Sequence, residues 1–182
     1  EVIKAIKKIK NSKLILFSSG AAAPYKTIST RKLLQLDPYG RLKRNEEIMF
    51  SENIDTQIIR IFALSGRYIR NPNRFALSNF ILQAKNNSRI DFLSKRRVVR
   101  GYINAKDLTK LSILISTNKI LFKKYKILNE NLDEIDLLDL AVLISKKFNK
   151  IPVSHKIDNS LCSEIYSKSP FILRQIAKII DY

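Results

Sequence analysis

The chain has 182 residues, of which 45% are hydrophobic, which is enough for a folded domain with a real core rather than a disordered tail. Its single cysteine excludes a disulfide framework and predicts a reducing, cytoplasmic location, and no apolar run approaches the roughly 18 residues of a membrane span. The net charge of +18 is typical of proteins that bind nucleic acid or other anions, but the lysines are spread along the chain, so solvated surfaces are the favoured explanation.

Apolar periodicity and turn residues predict helices and strands that follow one another along the chain. The predicted strands are Leu14–Phe17, Gln57–Leu64, Ile90–Leu93, Val98–Ile103 and Lys124–Leu128, with a sheet extension at Ile151–Val153. The predicted helices are residues 2–10, Tyr39–Phe50, Phe75–Ala84, Leu108–Ser116, Leu137–Phe148 and Phe171–Ile180. Up to residue 65, this order of elements fits the second half of a doubly wound parallel sheet.

A tyrosine and a lysine one helical turn apart form the first candidate site. Asp37 and Pro38 predict that a helix begins here, because aspartate caps free N–H groups and proline suits the first helical position. Tyr39 and Lys43 then lie on one face of that helix. A neighbouring ammonium favours the phenolate form of tyrosine, so the pair is suited to proton transfer. The same spacing also arises by chance in lysine-rich helices, and an inert surface pair is the alternative.

The apolar run before this helix ends in Ser18, Ser19 and Gly20, which puts hydroxyl groups at the carboxyl end of a predicted parallel strand. In open α/β sheets, ligands bind at that end of the strands. The Ser-Ser-Gly-Ala strand end, followed by Tyr-Gly-x-x-Lys-x-x-x-Glu at residues 39–47, resembles the extended short-chain dehydrogenase/reductase family, the NAD-dependent epimerases and dehydratases of nucleotide sugars. Residues 22–24 depart from the family, with Ala-Ala-Pro in place of Val-Tyr-Gly.

Three later segments match the same family in order. Residues 60–66 resemble its Arg-x-Phe-Asn-x-x-Gly strand end beside the nicotinamide, although Ala63 replaces the asparagine. Asn79 lies in a segment similar to the helix whose asparagine approaches the substrate pyrophosphate. Arg100 begins a segment similar to Arg-Asp-Tyr-x-x-x-x-Asp-Leu, whose arginine clamps the same group. The resemblance extends from about residue 13 to about residue 150.

The resemblance implies an α/β fold. Residues 1–65 would form the C-terminal half of a Rossmann-like doubly wound parallel sheet, and residues 66–182 would form mainly a small α+β substrate-binding domain, with some return to the Rossmann sheet. It also implies a homodimer through the helix that starts at Tyr39, and no metal or membrane partner.

The resemblance further implies hydride abstraction from a nucleotide sugar, with NAD or NADP as cofactor. Tyr39 would take the proton from a sugar hydroxyl, Lys43 would hold the phenolate and contact the nicotinamide ribose, and Ser19 would bind the reacting oxygen. Asn79 and Arg100 would bind the substrate. The implied cofactor contacts are Phe17, Ser18, Tyr39, Lys43, Phe62, Ala63 and Leu64.

The chain contains four glycines, and no two of them can form the Gly-x-x-Gly-x-x-Gly loop that holds a dinucleotide pyrophosphate. In the family this loop precedes all the segments described above. The resemblance therefore implies that residues 1–182 are a fragment that neither binds NAD nor turns over substrate alone. A non-catalytic remnant, or a basic protein that binds nucleic acid or another anion, is the alternative. The sequence leaves open which sugar and nucleotide are bound, and whether the enzyme is an epimerase, a dehydratase or a reductase.

One group of carboxylates lies close together in the sequence and could form a cation site. Because a helix is predicted to begin near these residues, we expect the carboxylates to face its positive dipole end instead. The group consists of Asp133, Glu134, Asp136 and Asp139.

Overall fold

The computed structural model describes residues 1–9, 11–23, 37–67, 69–86, 89–117, 127–130, 133–161 and 163–166. The chain divides into two units, the first made of Glu1–Phe62 with Lys106–Glu130 and the second of Ala63–Ala105 with Asn131–Tyr182. In chain order, the elements are α1 Val2–Lys7, β1 Leu14–Ser19, α2 Pro38–Asn53, β2 Thr56–Ile61, β3 Ala63–Ser65, α3 Ala76–Asn86, β4 Ile90–Phe92, β5 Val98–Asn104, α4 Ala105–Thr117, β6 Ile127–Glu130, β7 Asp133–Asp136, α5 Leu137–Lys147, β8 Val153–His155 and β9 Glu164–Tyr166. Among the described residues, every helix is too short or too polar to cross a membrane.

The first unit contains a parallel sheet in the order β1-β2-β6. Its register runs from Leu14 opposite Thr56 to Ser19 opposite Ile61, so the carboxyl ends of β1 and β2 lie together. The central strand β2 is buried from Thr56 to Arg60, as expected for a parallel strand covered on both faces. Within the described residues, β1 is an edge strand. The α/β class with a parallel sheet, which the order of elements predicts, is confirmed.

Helix α2 begins as the sequence predicts. Asp37 is its N-cap and accepts a hydrogen bond from the backbone N–H of Gly40 at 2.9 Å, and Pro38 is the first helical residue. The helix ends at Asn53, beyond the predicted end at Phe50. At this end, Asn53 Nδ2 donates a hydrogen bond to the Met49 carbonyl at 2.8 Å, and the backbone N–H of Ile54 bonds to the Phe50 carbonyl.

The second unit contains a mixed sheet around β5. This strand is parallel to β3 and β9 and antiparallel to β7, and a separate parallel pair joins β4 to β8. Helices α3 and α5 bury their apolar faces with these strands in one hydrophobic core. The buried members of that core are Leu77, Phe80, Ile81, Ala84, Ile90, Phe92, Val98, Tyr102, Ile135, Leu137, Leu140, Ala141 and Ile144.

The predicted strand Gln57–Leu64 is wrong as a single element. The structure divides it into β2, which pairs with β1, and β3, which pairs with β5. Phe62 lies at the break between the two strands. Its ring packs so closely on Gly20 that a Cβ atom added at Gly20 would collide with the ring. A segment rich in apolar residues predicts an extended chain, but it carries no information about which sheet each half joins.

The carboxylate-rich segment was predicted to start a helix, and this is correct only in part. Asp136 caps α5, where its side chain accepts a hydrogen bond from the Leu138 N–H at 2.8 Å. Asp133 and Glu134 instead belong to β7, an antiparallel partner of β5. Ile135, buried between two acidic neighbours, supplies the apolar and polar alternation of a strand.

Other boundaries differ by a few residues. Helix α1 ends at Lys7 rather than residue 10, and α4 begins at Ala105 rather than Leu108. Strand β6 begins at Ile127, and the expected sheet extension is β8. The sequence patterns did not predict β9. The predicted helix Phe171–Ile180 lies outside the described residues.

Candidate active site

Two serines end strand β1, and their hydroxyl groups have different partners. Ser18 is buried, with 7% of its surface exposed, and its Oγ donates a hydrogen bond to Glu47 Oε1 at 2.6 Å. Ser19 Oγ accepts a hydrogen bond from the backbone N–H of Ala21 at 3.2 Å. This bond caps the single turn of 3₁₀ helix that follows, Gly20–Ala22. The hydroxyl of Ser18 therefore bonds to a side chain of helix α2, whereas that of Ser19 bonds to the local backbone at the strand end.

The start of helix α2 packs directly on this turn. Gly40 lies so close to it that an added Cβ atom would be 2.5 Å from the Ala21 carbonyl oxygen. One turn later, Arg44 Nη1 donates to the Ala22 carbonyl oxygen at 3.3 Å. The first two turns of α2 therefore rest on the carboxyl end of β1, and they carry Tyr39 and Lys43.

Tyr39 and Lys43 differ in exposure and in partners. Tyr39 is 54% exposed, so its phenol is open to a ligand. Lys43 is partly buried, and its Nζ donates to Glu46 Oε2 at 2.8 Å. This hydrogen bond is the main reason why the pKa of Lys43 is raised, against the opposing effect of burial; the charge of Glu46 and then that of ionised Tyr39 add to it. The structure thus brings Tyr39 and Lys43 to the strand end that carries Ser19, and their catalytic roles stay a prediction.

Glu47 and Arg60 form a buried ion pair that the sequence motifs did not assign. Arg60 Nε donates to Glu47 Oε1 at 2.9 Å and Arg60 Nη2 donates to Oε2 at 2.6 Å. Glu47 is 4% exposed and Arg60 is 6% exposed. Both residues belong to matched motifs, since Glu47 ends the Tyr-Gly-x-x-Lys-x-x-x-Glu segment and Arg60 opens the next one. That shared membership is the only signal that pointed to the pair.

The other predicted cofactor contacts occupy different positions. Phe17 is a half-exposed residue of β1, and Phe62 packs on Gly20. Ala63 and Leu64 lie in β3, in the second unit.

The predicted substrate residues also belong to the second unit. Asn79 lies on α3, where its Oδ1 accepts a hydrogen bond from Gln83 Nε2 at 3.1 Å. Arg100 is in the middle of β5, between Ile135 of β7 and Tyr166 of β9. Their approach to a common substrate stays a prediction.

The carboxylate group at the start of α5 has a cationic partner instead of a metal site. Arg97 donates to Asp136 Oδ2 at 3.1 Å and to Asp139 Oδ1 at 3.0 Å. Within the described ranges, no group of three or more histidine, cysteine, aspartate or glutamate side chains could hold a metal ion.

A cleft of about 530 Å³ in the first unit lies away from Tyr39. It is lined by residues from the end of α2 and the start of β2, including Glu52, Asp55 and Thr56, together with Ile127. These residues lie at the amino end of the parallel strands, whereas Ser19 and Tyr39 lie at the carboxyl end. The cleft therefore lies at the opposite end of the strands from Tyr39.

A scan against known protein families gives no match to the chain, and a search of curated proteins gives no significant match. Solved structures do match. UDP-N-acetylglucosamine 4-epimerase from Methanobrevibacter ruminantium M1 superposes with a TM-score of 0.70 at 19% identity, over 100% of this chain and 60% of that one. The dTDP-glucose 4,6-dehydratase DesIV from Streptomyces venezuelae, solved with NAD bound, gives 0.65 at 12% identity, over 92% and 54%.

The fold is therefore Rossmann-like. This confirms, at the level of the fold, the resemblance to NAD-dependent epimerases and dehydratases that the motifs predicted. A GalE-like L-threonine dehydrogenase from Cupriavidus necator has the same fold, with a TM-score of 0.67 at 15% identity over 87% of this chain and 55% of that one. The chain spans little more than half the length of these enzymes, and the fold they share does not decide the substrate.

Proposed function

We propose that residues 1–182 carry the catalytic part and the substrate-binding part of an NAD(P)-dependent nucleotide-sugar epimerase or dehydratase. The observation that carries the proposal is the packing of the first two turns of α2 on the turn after β1. This packing supports the proposal because the same turns of α2 carry Tyr39 and Lys43, and the parallel strand end they rest on carries Ser19, where α/β enzymes bind ligands. The half-exposed phenol is open to solvent, as an acid–base group that meets a substrate must be.

The chain fits the nicotinamide end of the cofactor and not the pyrophosphate. Lys43 presents an ammonium next to Tyr39, but no glycine-rich loop exists in the sequence to approach two phosphates. In the proposal, the loop lies in a part of the protein outside residues 1–182. The cofactor, when bound, supplies reversible hydride transfer.

The side chains have separate roles in the proposed reaction. Tyr39, as phenolate, would remove the proton of a sugar hydroxyl while the carbon that bears this hydroxyl gives up its hydride to the cofactor, and Ser19 would donate a hydrogen bond to the reacting oxygen. Lys43 stabilises the phenolate by its charge. Lys43 is positively charged in the neutral range even at the ordinary lysine pKa of 10.5, and the hydrogen bond to Glu46 raises its pKa further.

Two of the structural neighbours described above carry nucleotide sugars in their names, which supports this substrate class. The proposal includes Asn79 and Arg100 as ligands of the substrate pyrophosphate, because such a group needs neutral and charged donors together. It also includes a cytoplasmic location and a homodimer through the helix that starts at Pro38.

The test uses the full-length protein that contains residues 1–182, supplied with NAD or NADP and a panel of nucleotide sugars. Tyr39→Phe should reduce turnover at least about a hundredfold, the low end for the loss of an acid–base group. Its melting temperature should not change, since the hydroxyl lies on a half-exposed side chain. Lys43→Met should also reduce turnover, and Lys85→Met, an exposed lysine at the end of α3, is the matched control.

Near-normal turnover of Tyr39→Phe would refute the catalytic role. Failure of the wild-type protein to convert any nucleotide sugar, combined with salt-dependent binding of an oligonucleotide, would favour the basic binding protein suggested by the charge of +18.

A further inference from the structure

Helix α2 makes little apolar contact for a helix that carries two candidate catalytic residues. Of its 16 residues, only Gly40 and Glu47 are buried. Three of its large apolar side chains, Leu42, Ile48 and Met49, are exposed, and a fourth, Phe50, is only half-buried. A helix on a sheet is normally held by an apolar stripe, which stabilises the contact without fixing its direction. Another interaction must therefore set the position of α2.

The carboxylate of Glu47 supplies such an interaction. It accepts one hydrogen bond from Ser18 of β1, at 2.6 Å, and two from Arg60 of β2, at 2.9 and 2.6 Å. A two-point pair between a guanidinium and a carboxylate is directional as well as strong. One side chain thus joins the helix to both neighbouring strands, next to the strand end that carries Ser19.

Glu47 also has a defined relation to the candidate catalytic residues. Tyr39, Lys43 and Glu47 are four residues apart in turn, so they follow one side of the helix. At a rise of about 1.5 Å per residue, Glu47 lies about 6 Å along the axis from Lys43 and about 12 Å from Tyr39. Contact at Gly40 and bonding at Glu47 hold the helix at two separate points, which limits both sliding and rotation.

We infer that Glu47 is a positioning residue: through Arg60 and Ser18 it sets where helix α2 places Tyr39 and Lys43 relative to Ser19. The inference about catalysis rests on the proposed function, but the placement of the helix can be tested without it. Positioning of this kind matters to rate because a displacement of about 1 Å at a reacting group can cost about a hundredfold.

The experiment separates positioning from stability by exchanging the ion pair for apolar side chains of similar length, Glu47→Met with Arg60→Met. Replacement of a buried ion pair by apolar residues is often neutral or stabilising, and among the described residues only the Ser18 hydroxyl loses its acceptor, so the double variant should stay folded with a melting temperature near that of the wild type. It should also lower kcat at least about tenfold with little change in KM, because Glu47 does not contact substrate in the proposal. The matched control is Arg89→Met with Asp91→Met, which removes an exposed ion pair in the second unit.

A second measurement is hydrogen exchange of the backbone amides of residues 38–47, followed by mass spectrometry. Loss of the anchor should speed this exchange in the double variant at unchanged global stability, and the control pair should not alter it. A folded double variant with wild-type kcat and wild-type exchange would overturn the inference.

A third variant keeps the experiment decisive if the double variant does not fold. Glu47→Asp keeps the buried charge, and withdraws the carboxylate by about 1.5 Å, one carbon–carbon bond. It should fold, lower kcat and alter exchange in residues 38–47; wild-type behaviour in both would overturn the inference. If Tyr39→Phe has full activity while the Glu47 variants still speed amide exchange in residues 38–47, the proposed function fails and the positioning of α2 by Glu47 stands.

Discussion

The carboxylate of Glu47 and the guanidinium of Arg60 form a two-point ion pair with almost no exposure to solvent. The pair joins the helix of the candidate site to the central strand of the sheet. Burial removes water from both charges, so each group depends on the other for compensation. Ser18 adds a further hydrogen bond to the same carboxylate.

Removal of one partner should therefore be severe. Glu47→Ala leaves the Arg60 cation buried without its carboxylate and should lower the free energy of unfolding by about 3–5 kcal/mol. Urea unfolding followed by circular dichroism measures this change. Asp91→Ala, which removes an exposed ion pair with Arg89, should cost at most about 1 kcal/mol. Equal losses in the two variants would contradict the role assigned to burial.

Gly40→Ala should destabilise the protein, although the same change in an ordinary helix stabilises it by up to about 1 kcal/mol. The added Cβ atom would lie 2.5 Å from the Ala21 carbonyl oxygen and 2.6 Å from Asp37 Oδ2, so the helix start must move. Overpacking of this kind costs about 1–3 kcal/mol. Urea unfolding gives the sign, and Asn45→Ala at an exposed position of the same helix is the control. Stabilisation by Gly40→Ala would show that the helix start is not held against the turn.

Glu46→Gln should lower the pKa of Lys43, because it weakens the hydrogen bond and removes the charge that raise it. The raised pKa means that the pair stabilises the folded state below the ordinary lysine pKa, and that this contribution is lost as pH rises through the folded value. The free energy of unfolding of the wild-type protein should therefore fall at strongly alkaline pH as Lys43 loses its proton. This decrease should be smaller in the Glu46→Gln variant. Nuclear magnetic resonance titration of the lysine side chains measures the pKa. Asp107→Asn, beside Lys110 on another helix, should leave Lys43 unchanged.

Arg100→Ala in the full-length protein should raise KM for the nucleotide sugar more than it lowers kcat, as expected for loss of a charge-assisted contact to the substrate. Two other arginines of the same segment form ion pairs, Arg96 with Glu164 at 3.1 Å and Arg97 with Asp136. Steady-state kinetics provides the measurement, with Arg74→Ala as a control at an exposed turn. An unchanged KM would assign Arg100 to the structure of the sheet instead.

Features that depend on near neighbours could be predicted from the sequence. Asp37 and Pro38 predicted the start of α2 because a cap and the first helical turn involve residues within three positions of each other. The apolar run that ends in Ser18 and Ser19 also predicted a strand, and this strand pairs in parallel with β2, although its side chains are only partly buried and Phe17 is half-exposed. The ordered motifs then predicted the fold that the structural neighbours share.

Contacts between distant segments could not be predicted in this way. Nothing in the local pattern distinguishes Ile61, the end of one strand, from Ala63, the start of a strand in another sheet. The ion pair of Glu47 and Arg60 could not be predicted either, because charged residues are usually exposed. Burial of a charged side chain becomes tolerable only when its partner of opposite charge is buried beside it. Pairing between strands and between buried charges depends on contacts between segments that are far apart in the sequence. These contacts exist only in the folded chain.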